Sequence, residues 1–209
     1  MDRHNTQKPR LAVEDSVSKR IISVARRHFF AYGIRSVTMD DLADELGMSK
    51  KTLYVYFPSK AALIEAVVLD KLHEVEADLE RIIADCSSDS LDALHQLLAS
   101  MQRHLEEIRP PYVRDVRREA PKMFELVERK RRDMIQRHFG NLIGEGRREG
   151  ILRNDIPAEL VIEMLLASTQ AIINPEKLAD LMLTPKDGFS AIITVLLEGV
   201  ITETGRSKL

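Results

Sequence analysis

Residues 38–57 read T-M-D-D-L-A-D-E-L-G-M-S-K-K-T-L-Y-V-Y-F and hold two helix starts only eleven residues apart. Thr38 precedes a short apolar-periodic run with Asp41 three residues on, the reciprocal pairing in which side chain and backbone cap one another. Ser49 opens a second run that reaches Tyr56. Between them stands Gly47, which adopts a positive φ without steric cost and so stops the first helix. The spacing predicts two helices of about two turns each joined by a tight turn, a helix-turn-helix unit. With the helix before them they make a three-helix bundle that buries little alone, so it is expected to lean on the helix that follows. The second helix of the pair carries Lys50, Lys51, Thr52, Tyr54 and Tyr56, side chains able to reach phosphates or base edges.

The flanking sequence predicts more helices and no strands, hence an all-α fold. Residues 1–13 are polar and contain Pro9, so they are expected as a mobile arm. An amphipathic helix is expected over 15–33, with Val17, Ile21, Ala25 and Phe29 spaced by four along one face. Leu42, Ala43, Leu46, Met48, Leu53 and Phe57 are expected as the core of the helix pair. A long helix follows Pro58 to about Ala84, and Ser87 to Ser90 break it. Further helices are expected over 91–108, ending at Pro110 and Pro111; over 112–119; and from Pro121 to Arg148, weakened by Gly140, Gly144 and Gly146. The last ones cover 157–173, a short 175–183 piece, and 187–204. The organisation read from this is an arm (1–13), a helix-turn-helix domain (14–60, motif 38–57) and a helical body (61–209).

Charge sharpens the division. The net charge is −2, which alone speaks against a polyanion partner, yet residues 1–60 hold 11 Lys and Arg against 7 Asp and Glu while the remainder holds 20 against 26. A basic first third on an acidic body turns one end of the molecule toward polyanions. A single cysteine, Cys86, permits no intramolecular disulfide. No apolar run approaches the roughly 18 residues that span a bilayer, and the first ten residues lack a signal-peptide core, so a cytoplasmic protein without a membrane partner is expected. No catalytic set emerges, so no enzyme is expected. H-L-E-E-I from His104 lacks the second histidine of a zinc-protease motif. G-E-G-R-R-E-G from Gly144 is not G-x-G-x-x-G, and there is no serine nucleophile elbow. Neither cofactor nor metal is expected.

Residues 33–60 resemble the TetR (tetracycline repressor)/AcrR-like family of transcriptional regulators. The resemblance rests on Phe29-x-x-x-Gly33, Val37-Thr38, Leu42-Ala43, Leu46-Gly47-Met48-Ser49 and Thr52-Leu53-Tyr54-x-Tyr56-Phe57-x-Ser59-Lys60, and it extends over residues 18–67. The remainder agrees with the family only in length and in its run of helices. The resemblance implies about nine helices, a homodimer, and a C-terminal domain that senses a small molecule; it also suggests that Tyr54 and Tyr56 donate to phosphates.

The candidate double-stranded DNA contacts are Thr38, Ser49, Lys50, Lys51, Thr52, Tyr54, Tyr56 and Lys60. Lys50 and Lys51 stand where a cation opposes the helix dipole, a placement that makes sense facing an anionic backbone. Thr38 opens a helix whose free amides and positive end suit a phosphate. Lys60 is expected to hold the DNA backbone beside it. Apolar Leu98, Met101, Leu105, Met123, Phe124, Val127, Met134 and Met164 are candidates for an effector pocket, methionine being adaptable enough for a flexible apolar site. Leu160, Met164, Ser168 and Ile172, with Phe189, Ile193, Leu196, Leu197 and Val200, form two i, i+3, i+4 stripes. Periodicity leaves them open between intrachain core and dimer interface, and the resemblance favours a dimer. The leading expectation is a ligand-responsive repressor released from a pseudo-palindromic operator by a small hydrophobic effector. The alternative is a constitutive DNA-binding or scaffold protein without an effector.

Overall fold

The computed structural model describes residues 7–85 and 90–206. Every period of about 3.6 residues in the sequence becomes a helix, and among the described residues the only β feature is an isolated antiparallel bridge between Leu152 and Ile201. Helix α1 spans Gln7–Tyr32, starting eight residues ahead of the expected Asp15. Pro9 does not prevent this, because it falls in the first turn, where a missing N–H breaks no intrahelical bond. Residues 1–6, the rest of the expected arm, lie outside the described residues. Ile21, Ala25 and Phe29 of α1 are fully buried, and α1 packs on the long helix α4 (Lys60–Asp85).

Helices α2 (Met39–Leu46) and α3 (Lys50–Tyr56) form the expected pair. Thr38 and Asp41 cap reciprocally: the Asp41 N–H donates to Thr38 Oγ1 at 3.1 Å and the Thr38 N–H to the Asp41 carboxylate at 2.8 Å. Gly47 sits at φ 64°. From there the Gly47 and Met48 amides return to the Asp44 and Ala43 carbonyls, a Schellman closure that satisfies the orphaned helix end. Ser49 Oγ then accepts from the Thr52 amide at 3.0 Å and starts α3. Leu42, Ala43, Leu46, Leu53 and Phe57 are buried and Met48 packs against them.

The body comprises α4, α5 (Ser90–Glu106), α6 (Pro110–Glu119), α7 (Pro121–Met134), α8 (Gly140–Arg148), α9 (Ala158–Ile172), α10 (Pro175–Asp180), α11 (Pro185–Val200) and α12 (Glu203–Arg206). The expected serine-rich break falls mostly on residues 86–89, outside the described residues. Pro110 and Pro111 do more than end the preceding helix: they are the first residues of α6. The expected long helix from Pro121 to Arg148 is continuous in path but passes through a π-helical turn, Ile135–Phe139. The disturbance thus precedes the glycines. The expected last helix begins earlier, at Pro185 behind a Thr184–Asp187 capping box, and ends at Val200, because Ile201 turns extended to meet Leu152. If α7 and α8 are joined and the short α10 and α12 set aside, nine helices remain of the twelve described. One apolar core runs from Ile21 to Ile193 without interruption, so the first three helices are braced by the body.

Candidate nucleic-acid interface and internal cavity

The inner side of α3 is fixed by Leu53, which has no solvent exposure, and Phe57. The opposite side is left to solvent: Lys50, Lys51, Thr52, Tyr54 and Val55 are all exposed, whereas Tyr56 is half-buried against the core. Lys50 Nζ lies 2.8 Å from the Asp40 carboxylate, and that hydrogen bond raises its pKa. The Ser49 and Thr52 hydroxyls hydrogen-bond each other at 2.8 Å. Four of the expected DNA contacts, Lys50, Lys51, Thr52 and Tyr54, therefore share one exposed surface, and Ser49 joins it as an exposed cap.

Besides half-buried Tyr56, two expected contacts stand differently. Lys60 turns inward: its ammonium donates to the Ile34 carbonyl at 2.5 Å, and burial lowers its pKa. It fastens the start of α4 to the loop after α1 instead of projecting outward. Thr38 is exposed, but Asp41 already accepts from its N–H and hydroxyl. The positive end of α2 is thus partly neutralised from within the chain. Sequence reasoning passes over Val55, because a valine among lysines and tyrosines in a short helix reads as core; its angular position opposite Leu53 is the signal available.

Away from the helix pair, none of whose residues line it, a cavity of about 170 Å³ opens between α1, α4, α5, α6 and α7. Five of the pocket candidates, Met101, Leu105, Phe124, Val127 and Met134, line it. The other three pocket candidates do not. Leu98 faces a separate cavity of about 50 Å³ among α5, α8, α9 and α11, Met123 packs on the edge of the core, and Met164 is 48% exposed. Sequence reasoning misses much of the wall, including Phe30 of α1, Lys71 and Val75 of α4, His104 of α5, Tyr112 and Val116 of α6, and Arg131 of α7. Such residues converge from helices far apart in the chain, which no local period reveals.

Lys71 and His104, both buried, belong also to a charge network whose carboxylates are partly exposed. Lys71 Nζ donates to His104 Nδ1 at 2.9 Å and to Glu107, and lies 3.5 Å from Glu74. With Nδ1 accepting, the imidazole proton is assigned to Nε2, which lies 3.1 Å from the Asp78 carboxylate without meeting it in hydrogen-bond geometry. Burial and the Lys71 charge both push the His104 pKa down. Arg26 of α1 completes the set with bonds to Glu74 and to Glu107 (2.7 Å). Arg26 above all holds Glu74 below the usual carboxylate range; burial alone would raise Glu107, but bonds from Arg26 and Lys71 outweigh it. The donor atoms of Glu74, His104 and Glu107 lie within 4.8 Å of one another, a spacing that could suit a metal. Lys71 already contacts all three, so the cluster is built around the chain's own cation.

A second tie joins the cavity wall to the first helices. Asp115 of α6, 1% exposed, accepts from the Arg35 amide at 2.9 Å. The chain makes room by having Gly33 there, at φ 85°: a Cβ would fall 2.6 Å from the Asp115 carboxylate. Nearby, the Arg109 amide donates to the Phe30 carbonyl at 3.0 Å.

The two apolar stripes divide. Phe189 and Ile193 are buried inside the chain, so they are core and cannot face a partner. Leu196, Leu197 and Val200 are half-buried and line the smaller cavity; Ser168 and Ile172 are also half-buried. What faces outward on the adjoining α9 and α11 is Leu160 (50%), Met164 and Val195 (73%), with exposed Ala167, Ala171, Ala191 and Gly199 around them. Among the described residues, no single helix is long and apolar enough to cross a membrane.

Residues 21–67 match the family model described as bacterial regulatory proteins, tetR family. Over 190 residues the chain is 26% identical to the HTH-type transcriptional regulator YvaF of Bacillus subtilis, covering 90% of this chain and 97% of that one. The fold is similar to that of a TetR-family transcriptional regulator from Agrobacterium tumefaciens (TM-score 0.69, 18% identity, 90% of this chain and 100% of that one). It is also similar to a transcriptional regulator from Saccharomonospora viridis in complex with choline (TM-score 0.67, 19% identity, 90% and 100%).

Proposed function

We propose that this chain, whose N-terminal helices belong to the tetR family of bacterial regulatory proteins, is a repressor that leaves its operator when a small apolar ligand fills the cavity behind them. Residues 14–60 act as the DNA-reading domain and 61–209 as the sensing and dimerising body. The DNA surface is the outer side of α3, with Lys50 and Lys51 on phosphates, Tyr54 donating its hydroxyl to the backbone, and Thr52 near base edges. One such surface covers few base pairs. A two-fold dimer through Leu160, Met164 and Val195 on α9 and α11 doubles it and calls for half-sites about 34–36 Å apart or a multiple of that.

The observation that carries the ligand response is that Lys71 and His104 belong both to the cavity wall and to the ion network gripping Arg26. A ligand pressing on that wall, or on α6, acts on α1 through Arg26 and on the Gly33–Arg35 loop through Asp115. The two reading helices then change separation. Binding shifts the balance only by the ligand's differential affinity for the two arrangements, typically about 1–3 kcal/mol. The relative solved with choline supports the fold's accommodation of a small molecule in general.

The test takes the purified full-length protein through selection of its own genomic DNA, then screens small apolar molecules for thermal stabilisation and operator release. A pseudo-palindromic site and a ligand that both stabilises and releases are expected. Failure to select any sequence sinks the DNA reading; a selected operator whose affinity no stabilising ligand alters sinks the sensing and leaves a constitutive binder.

A further inference from the structure

All of α3 reads K-K-T-L-Y-V-Y and contains no Arg, Asn, Gln, Asp or Glu. Apart from lysine on guanine, those are the side chains that make bidentate or carboxylate contacts to base edges in the major groove. That leaves only Lys50 and Lys51 for contacts of this kind, so the rest of the outer surface must contribute by other means. Val55 is 76% exposed, about 160° around the helix from buried Leu53 at 3.6 residues per turn. A β-branched residue costs some helix propensity, a poor choice in a helix of seven residues, and burial here returns nothing for it. Neither local preference nor packing within the chain gives a reason for valine.

Thr52 stands three residues earlier and shares the face of Val55. Its hydroxyl hydrogen-bonds Ser49 Oγ at 2.8 Å, and its amide donates to the same oxygen at 3.0 Å. With its polar atoms turned into the cap, Thr52 offers its γ-methyl. The centre of the outer surface is then a small apolar patch, with Lys51 beside it. In the major groove, the feature matched to such a patch is the C5-methyl of thymine.

We propose that Val55, together with the γ-methyl of Thr52, recognises thymine C5-methyl groups and sets the sequence preference of the operator. This rests on the DNA-binding reading above. The lysines and tyrosines supply affinity through the backbone, and the apolar pair supplies discrimination.

The experiment uses full-length protein and a duplex operator selected from a random library. Each thymine is replaced singly by deoxyuridine, which removes only the methyl. At one or two positions per half-site the affinity should fall about fourfold for each methyl removed, the effect of burying one such group. Val55→Ala should bind more weakly and show no further loss with deoxyuridine at its position, and Thr52→Ser, which keeps the cap hydroxyl, should do the same at a neighbouring one. 5-Methylcytosine at the Val55 position should bind wild type more tightly than cytosine. Full affinity for deoxyuridine operators at every position, or an undiminished deoxyuridine penalty in both variants, overturns the proposal while DNA binding stands. A protein that selects no sequence removes the functional reading itself, and this inference with it.

Discussion

The helix pair α2–α3 and the cavity between α4 and α7 lie in one protein but are specified in opposite ways. The pair is dictated within twenty residues: a capping box at Thr38, a left-handed Gly47, a second cap at Ser49, and apolar residues spaced to face inward. Its polar side chains point outward. The cavity has no local signature, since its wall gathers residues from Phe30 to Pro185, and its charged groups are turned inward and paired with one another. A surface that must meet a rigid external partner is built from short-range rules. A space that must accept a ligand and transmit its presence is built from long-range contacts, which can rearrange.

This contrast can be broken by mutation. The largest effect is expected for Leu53→Ala, which empties a fully buried site and should cost about 2–5 kcal/mol. Met123→Ala, at a half-buried position on the edge of the body core, should cost visibly less. Equal losses in chemical denaturation would mean that the pair is no more tightly determined than the body. Gly33→Ala places a methyl against Asp115 at a positive φ and should destabilise by about 1–3 kcal/mol. If the joint transmits, it should also weaken ligand-driven operator release, and intact release in a destabilised protein would remove the α6 tie from the mechanism. Lys71→Met leaves Glu107 and His104 without their shared donor. Destabilisation of about 1–2 kcal/mol is expected, discounted for the partial exposure of Glu107, together with altered ligand response at unchanged operator preference.

Smaller effects come from pH and salt. The His104 pKa is depressed by burial and by Lys71, so the unfolded chain takes up a proton before the folded one does. The stability owed to neutral His104 is complete above its ordinary value of 6.5 and is lost as pH falls below it. Glu74 and Glu107 are also depressed, and their share is lost only below the ordinary carboxylate value of 4.5. The melting temperature should therefore fall between pH 7 and 5, and His104→Gln should lessen the fall without abolishing it, because His138 is depressed in the same direction. A fall unchanged by that substitution would exclude His104. Smallest in stability, within about 0.5 kcal/mol, are Lys50→Ala and Lys51→Ala. Each should reduce the log–log salt slope of operator binding by about 0.9 for every phosphate it no longer neutralises. An unchanged slope in both would take these lysines out of the interface.

How far the sequence could be read follows the same division. The capping residues and the 3.6-residue period made the all-α architecture, the helix pair and its core legible, with boundaries displaced mainly where proline falls in the first turn of a helix, as at Pro9 and Pro110. The pocket was half legible: Met101, Leu105, Phe124, Val127 and Met134 share the cavity, but Leu98, Met123 and Met164 do not, since periodicity says which face is apolar and not which neighbour that face meets. The stripes on α9 and α11 were ambiguous for the same reason. Only packing put Phe189 and Ile193 inside and Leu160, Met164 and Val195 outside.

From its own sequence the chain determined how the helix pair starts and stops, and that its second helix would present Lys50, Lys51 and Tyr54 away from its core. Caps, turns and periods act between residues a few positions apart, so the local chain suffices to set them. Tertiary structure decided that Lys60 turns inward, that Val55 stays exposed, and that Arg26 and Glu107 meet the cavity-wall residues Lys71 and His104. Those outcomes depend on residues up to 81 positions apart, where the gain from close packing and from pairing buried charge exceeds any preference the individual residues express.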